Sequence, residues 1–406
     1  MSDIVVTGMG VISSLGVGRD AFWEGLRSGR SGIKRITHFD ATPFRSNIAA
    51  WIDDFEPQRF IPPRSYRRMS RVSRMAVAAS VEALKDSGVD LDRVDRERVA
   101  VIMGTAYGSS STVDEFFRGR LSEGPRGAHP FMFPETVPNA PASHIAIFHG
   151  ITGPNSTFCQ NEISAEAAVM YGRNLLLLNL VDVVLVGGVD EISEMQYSCY
   201  DAVRALNPVM VGEGEFIRPL RGGGLVLGEG AGILVMERSE FARRRDARIY
   251  GCLRAGIITG GTAAINRYDG EGNQTARAVI SVMEEAGVCP DDIDQIDVSA
   301  NYSRELDRME AAVLRRIFLR RDGDLEVNPL KYRVGDFGGA GIVRAAAVLL
   351  SLHSGIPLPA ITVNALGDDS YDDLRWNVRS SGPVDVTVMT SSTFGGGSSS
   401  FIFTTV

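Results

Sequence analysis

Apolar residues in this chain come in short β-branched runs closed by glycine or serine. "DIVVTG", "RVAVIMGT", "VDVVLVGG", "GILVME", "IDVSA" and "VDVTVMTS" are continuous rather than periodic, and read as strands buried on both faces. Between them the pattern changes. Ser73–Asp86 and Ala276–Ala286 repeat their apolar positions at helical spacing and predict helices. Strand and helix alternate, so the expected class is α/β with covered sheets.

The order also repeats. "RVAVIMGTAYGSS" leads to "VPNAPASHIAIFHG" and then "VVLVGGVDE"; "QIDVSANYSRE" leads to "LKYRVGDFGGAGIVRAAAVLLSL" and then "VTVMTSSTFGGG". Two readings stand. Either the chain is a duplicated α/β unit with a seam near Glu240–Tyr250, or these are echoes that any α/β chain shows.

Composition narrows the field. The 406 residues are 44% hydrophobic and 23% charged, with a net charge of −8. That is ordinary for a globular chain with a large core, and it argues against a generic affinity for nucleic acid. The four cysteines, Cys159, Cys199, Cys252 and Cys289, have no metal-ligand spacing and suit a reducing cytoplasm. No metal or cofactor is expected. No leader pattern opens the chain. The most apolar stretch, "AAVMYGRNLLLLNLVDVVLVGGV", is interrupted by Arg173, Asn174, Asn179 and Asp182, so no membrane span is expected.

One stretch carries chemistry. "GPNSTFCQNEISAEAAV" combines a Gly-Pro-Asn bend, a cysteine and a small-residue helix. It looks like a nucleophile turn, with Cys159 as the candidate.

Several further segments occur in a telling order: "VVTGMGVISSLG", "GPRGAHPFMFPETVPN", "GITGPN", "VVLVGGVDE", "RPL…GLVLGEGAGILVMERSEFARRR", "LKYRVGDFGGAG" and "STFGGGSSSFIF". Together they resemble β-ketoacyl carrier-protein synthases of the thiolase fold across almost the whole chain. The resemblance implies a five-layered αβαβα sandwich of two similar halves, 1–245 and 246–406, and a dimeric assembly.

It also implies a site. The family's nucleophilic cysteine follows the Gly-Pro-Asn turn by a fixed interval, which here ends on Glu162; Cys159 falls three residues early, on the strand entering the turn, and so reads as a small buried apolar residue rather than the nucleophile. The family's two histidines correspond to Ser299, in "IDVSANYS", and to Asp336, in "VGDFGGAG". Lys331 stands at the family lysine, Glu310 at the glutamate that normally pairs with it, and Phe394 at the gating phenylalanine. The architecture is therefore expected to persist without the condensing chemistry. A thiolate is a far better acyl acceptor than a carboxylate, and an ionised Asp336 can accept but not donate to a developing enolate. Two close carboxylates raise one pKa unless a cation intervenes, and Lys331 and Arg333 are the candidates. A protonated Glu162 acting as a general acid is the functional alternative.

Loss of the cysteine and both histidines matches the chain-length factors, the non-condensing partners of type II polyketide ketosynthases. Those usually carry glutamine where this chain has Glu162. The expected partners are an active ketosynthase and an acyl carrier protein. In the resembling proteins a helix at the dimer interface closes the acyl tunnel. Here that segment is "GSSSTVDEFFRGRL", with Thr112, Phe116 and Phe117 as tunnel residues or as plain interface packing. Arg64, Arg67 and Arg68, in "RSYRRMSRVSR" with Arg71 and Arg74, stand where relatives contact the carrier protein, as does Arg126. These arginines dock that acidic partner or form a solvated, ion-paired face. The rival functions are a malonyl decarboxylase that supplies primers and a homodimeric ligand-binding scaffold.

Overall fold

The computed structural model describes residues 3–215, 217, 223–318, 325–358 and 383–406; Arg218, Pro219 and Leu220, part of one family-like segment, lie outside them. The principal elements are β1 (Ile4–Ser13), α1 (Arg71–Ser87), β2 (Val99–Gly104), α2 (Ser110–Glu123), α3 (Ala140–His149), β3 (Asn155–Phe158), α4 (Ser164–Leu177), β4 (Val183–Asp190), α5 (Glu194–Ala202) and β5 (Gly230–Arg238). They continue as β6 (Gly251–Thr259), α6 (Asn273–Ala286), β7 (Gln295–Asp297), α7 (Arg304–Phe318), β8 (Glu326–Asn328), α8 (Ala340–Ser354), β9 (Val386–Ser392) and β10 (Ser398–Thr404).

The strands line up as β3-β2-β4-β5-β1 and then β6-β10-β9-β7-β8. The order is a palindrome in pairing sense as well. β3, β2 and β4 pair in parallel, and β5 and β1 then turn antiparallel. On the other side β8, β7 and β9 are parallel, and β10 and β6 antiparallel. The halves join where Ile4–Val6 of β1 pairs antiparallel with Gly251–Leu253 of β6.

Five layers follow from what each helix covers. α1 and α3 lie on the outer face of the first half-sheet, and α6 and α7 on that of the second. α4 and α8 touch each other and strands of both halves, forming the central layer. The apolar side chains divide accordingly. One buried cluster surrounds α4 and α8, a second lies under α1, and a third lies under α6 and α7. α8 is buried along nearly its whole length, with no polar face. α1 shows ordinary boundary chemistry: the Ser70 side chain accepts from Ser73 N–H, and Gly88 ends the helix at φ 66°.

The repeat reading needs one correction. The segment "VPNAPASHIAIFHG" forms α3, which packs outside against α1 and β2, so it is not the counterpart of α8. That counterpart is α4, which shares the central layer and packs on both half-sheets. Among the described residues no helix is long and apolar enough to cross a membrane.

Candidate functional site

Glu162 sits in a short 3-10 turn, Asn161–Ile163, immediately before α4. Asn161 takes a left-handed φ of 47°, a conformation that asparagine tolerates better than most residues. Ser164 locks the bend: its hydroxyl donates to Asn161 C=O at 2.7 Å and accepts from Gln160 N–H at 2.8 Å. Gly338, beside the start of α8, completes the close approach. A Cβ there would lie 2.6 Å from Ala106 N and 2.8 Å from Asn161 O. The turn therefore brings Glu162 against residues of both halves.

The predicted positions do converge. Glu162 is 6% exposed and Asp336 2%, and both line one small cavity. Lys331 Nζ forms an ion pair with Asp336 Oδ1 at 2.7 Å and donates to Ser299 Oγ at 3.1 Å. Asn301 Nδ2 donates to Asp336 Oδ2 at 2.6 Å. Thr393 Oγ1 donates to Glu162 Oε2. Phe394, the next residue, packs its half-buried ring on Tyr268 at 4.6 Å between centroids.

Two expectations about charge pairing change. Glu310 does not pair with Lys331: its Oε1 accepts from Ser299 N–H at 2.8 Å, while Lys331 turns to Asp336. Arg333 is not the intervening cation either; it donates to Leu26 C=O at 3.2 Å, away from the cavity. Burial, reinforced by the negative charge of Asp336, pushes the Glu162 carboxyl up. Burial also lifts Glu310, to about 8. The rise favours the protonated form of Glu162, beside an Asp336 paired with Lys331.

Cys159 is exposed, contrary to the buried reading. It follows β3, the outermost strand of the first half-sheet, so its side chain lies at the sheet margin rather than in the core. Burial of its partly covered thiol raises its pKa, with Asp190 adding to the rise, which disfavours the thiolate.

Asp190 itself was not singled out from the sequence. It ends β4 and accepts from Thr105 Oγ1 at 2.7 Å, from Ala106 and Tyr107 N–H at 2.9 and 3.1 Å, and from Gly339 N–H at 2.9 Å. One buried carboxylate thus ties the exit of β2 to the start of α8. Asn301 and Thr393 were also missed as site residues. Their signal was proximity alone: Asn301 lies two residues past Ser299, and Thr393 directly precedes Phe394.

The peripheral residues separate into groups. Thr112 and Phe116 on α2 are half-buried, and Phe117 is 55% exposed. Phe116 packs edge-on against Phe117 at 5.6 Å and lies 6.1 Å from Phe133. Arg64, Arg67, Arg68 and Arg126 are all exposed. Arg71 and Arg74 turn inward: Arg71 pairs with buried Glu229 at 2.6 Å, and Arg74 donates to Tyr66 C=O at 3.1 Å.

Comparison with known proteins gives a consistent result. Residues 1–242 match the beta-ketoacyl synthase N-terminal domain, and residues 250–364 match the C-terminal domain. The tetracenomycin polyketide synthase ketoacyl synthase alpha subunit of Streptomyces glaucescens is 32% identical over 407 residues, covering 97% of this chain and 95% of that protein. The 3-oxoacyl-(acyl-carrier-protein) synthase 2 of Coxiella burnetii is 27% identical over 398 residues, covering 97% and 96%. Among solved structures, the ishigamide ketosynthase/chain length factor aligns with a TM-score of 0.88 at 27% identity, covering 100% of this chain and 99% of that one.

Proposed function

Because the chain belongs to the β-ketoacyl synthase family, we propose that it is a chain-length factor. In this role it is a non-condensing partner that pairs with an active ketosynthase of a type II polyketide synthase and shapes the acyl tunnel. The observation that carries the proposal is the cavity around Glu162, none of whose lining residues is a cysteine or a histidine. Condensation needs a polarizable thiolate and donors aimed at an enolate oxygen. In their place the chain holds a buried acid, a serine and a lysine-bound aspartate.

Two surface features support a partner. Phe117, Leu121, Phe131 and Phe133 are 55%, 82%, 70% and 61% exposed, large apolar side chains that an interface would cover. Arg64, Arg67, Arg68 and Arg126 are exposed, and Arg68 lies over the Phe131 ring at 5.1 Å. Exposed guanidinium groups suit an acidic carrier protein.

The decarboxylase reading has Glu162 as general acid, but an enolate formed beside Asp336 would meet negative charge where it needs a donor. Co-expression with an intact Cys-His-His ketosynthase tests the proposal. The two chains should co-purify as a one-to-one complex that makes polyketide. Quantitative recovery of this chain as a stable homodimer from cells containing that ketosynthase would overturn it.

A further inference from the structure

The small cavity beside Glu162 gathers oxygen atoms from several elements. Glu162 enters it from the turn before α4. Gln196 enters from the first turn of α5, where the Ser193 side chain accepts from Gln196 N–H at 3.1 Å and fixes the helix start. Tyr200 follows one turn later on the same helix face, and its hydroxyl is 2.7 Å from that of Tyr107. Asp336 completes the polar lining.

Glu162 is 6% exposed and Gln196 7%, yet Glu162 Oε1 and Gln196 Oε1 have no hydrogen-bond partner among the described residues. Buried acceptors are normally paired, because leaving one without a donor is costly. The charges are unequal too. The lining holds two carboxylates and no cationic side chain. Lys331 bonds to one of them, Asp336, at 2.7 Å, and Asn301 Nδ2 donates to the same carboxylate at 2.6 Å. Glu162 receives only the Thr393 hydroxyl, on Oε2.

What would complete this cavity is positive and small. Among the described residues no three His, Cys, Asp or Glu side chains gather to hold a metal ion, so a transition ion is not the match. Carboxylate and amide oxygens suit a hard cation. The cavity is about 10 Å³, space for about one water. That excludes an organic cation and the waters that a magnesium ion keeps. One carboxylate without a cation asks for a single charge.

We infer that this cavity is a site for one monovalent metal cation, sodium or potassium, held by Glu162 and Gln196. Binding is an exchange: the ion enters as Glu162 releases its proton to solvent. The site draws on no partner subunit, so the inference stands or falls apart from the chain-length-factor reading.

The test is thermal unfolding of the full chain in sodium, potassium or tetramethylammonium chloride at one ionic strength. Tetramethylammonium screens surface charge in the same way but is too large for the cavity. Wild type should melt about 1–3 °C higher in sodium or potassium chloride than in tetramethylammonium chloride. Glu162→Gln removes the charge, and Gln196→Met removes the amide oxygen at similar volume. Each should abolish the difference, and Gln196→Met serves if Glu162→Gln does not fold. Wild-type crystals soaked in thallium(I) should show an anomalous peak in contact with Glu162 and Gln196. Equal wild-type melting in the three salts, a difference that survives either substitution, or a lone water in the thallium-soaked cavity would overturn the inference.

Discussion

Lys331 is the residue on which the bonding around Asp336 turns. Its side chain is 0% exposed, and it faces Asp336 at 2.7 Å and Ser299 at 3.1 Å. Lys331→Met would leave Asp336 buried without its cation, and should destabilise the chain by about 3–5 kcal/mol in urea unfolding. Lys331→Met/Asp336→Asn should recover much of that loss, because neither charge then remains buried alone. Equal instability of the single and double variants would show that the pair itself is not the source. Glu310 supplies a pH dependence. Its folded-state pKa, about 8, is raised above the ordinary 4.5, so the folded chain holds a proton that the unfolded chain releases. Its contribution is fully present below about 4.5 and is lost as pH rises through 8, at up to about 1.4 kcal/mol per pH unit. Glu310→Gln keeps an acceptor for Ser299 N–H, and unfolding measured from pH 5 to 8 should therefore decline less steeply than in wild type. At this scale the gathering of Glu162, Ser299 and Asp336 was legible in the sequence, from an interval after the Gly-Pro-Asn turn for Glu162 and from resemblance to family motifs for the other two. Their bonding was not. Which carboxylate takes Lys331 depends on side-chain geometry across two elements, and Arg344, inside the run "GIVRAAAVLL", gives no sign that it is fully buried against Asp297 at 2.7 Å.

At the scale of elements, α2 carries the proposed tunnel residues. Phe116 is half-buried and Phe117 largely exposed in the single chain. Truncating either should therefore cost the isolated chain less than the about 3–5 kcal/mol of a fully buried phenylalanine. Its main effect belongs to the proposed heterodimer. Phe116→Ala or Phe117→Ala should lengthen the polyketide made by the reconstituted complex, and Thr112→Phe should shorten it. Unchanged product length in all three variants, with the complex intact by gel filtration, would move the tunnel end elsewhere. The arginine segment before α1 divides in the same way. Arg71 anchors to Glu229, whereas Arg64, Arg67 and Arg68 reach solvent. Charge reversal at those three with Arg126 should slow turnover with carrier protein and weaken its salt dependence; unchanged kinetics would leave a solvated face. The sequence distinguished strands from helices well, because buried parallel strands are continuous and helices periodic. It misjudged Cys159, since nothing in "STFCQ" marks β3 as the outermost strand.

For the molecule as a whole, the palindromic sheet is a scaffold whose shape does not depend on the residues around Glu162. The central layer of α4 and α8 is held by apolar packing and by the buried Arg344–Asp297 pair, none of which requires a nucleophile. The division of the chain near residue 245 remains a proposal, supported by the junction of β1 with β6. The most direct test of the central claim is mass spectrometry of the intact purified chain after incubation with acyl- and malonyl-carrier protein, with released carbon dioxide followed in parallel. Alone, the chain should acquire no acyl adduct, release no carbon dioxide and form no condensed product; with an intact ketosynthase subunit, product should appear and the adduct should sit on that subunit's cysteine. An acyl adduct on Cys159 abolished by Cys159→Ala, or carbon dioxide released by this chain alone, would contradict the account.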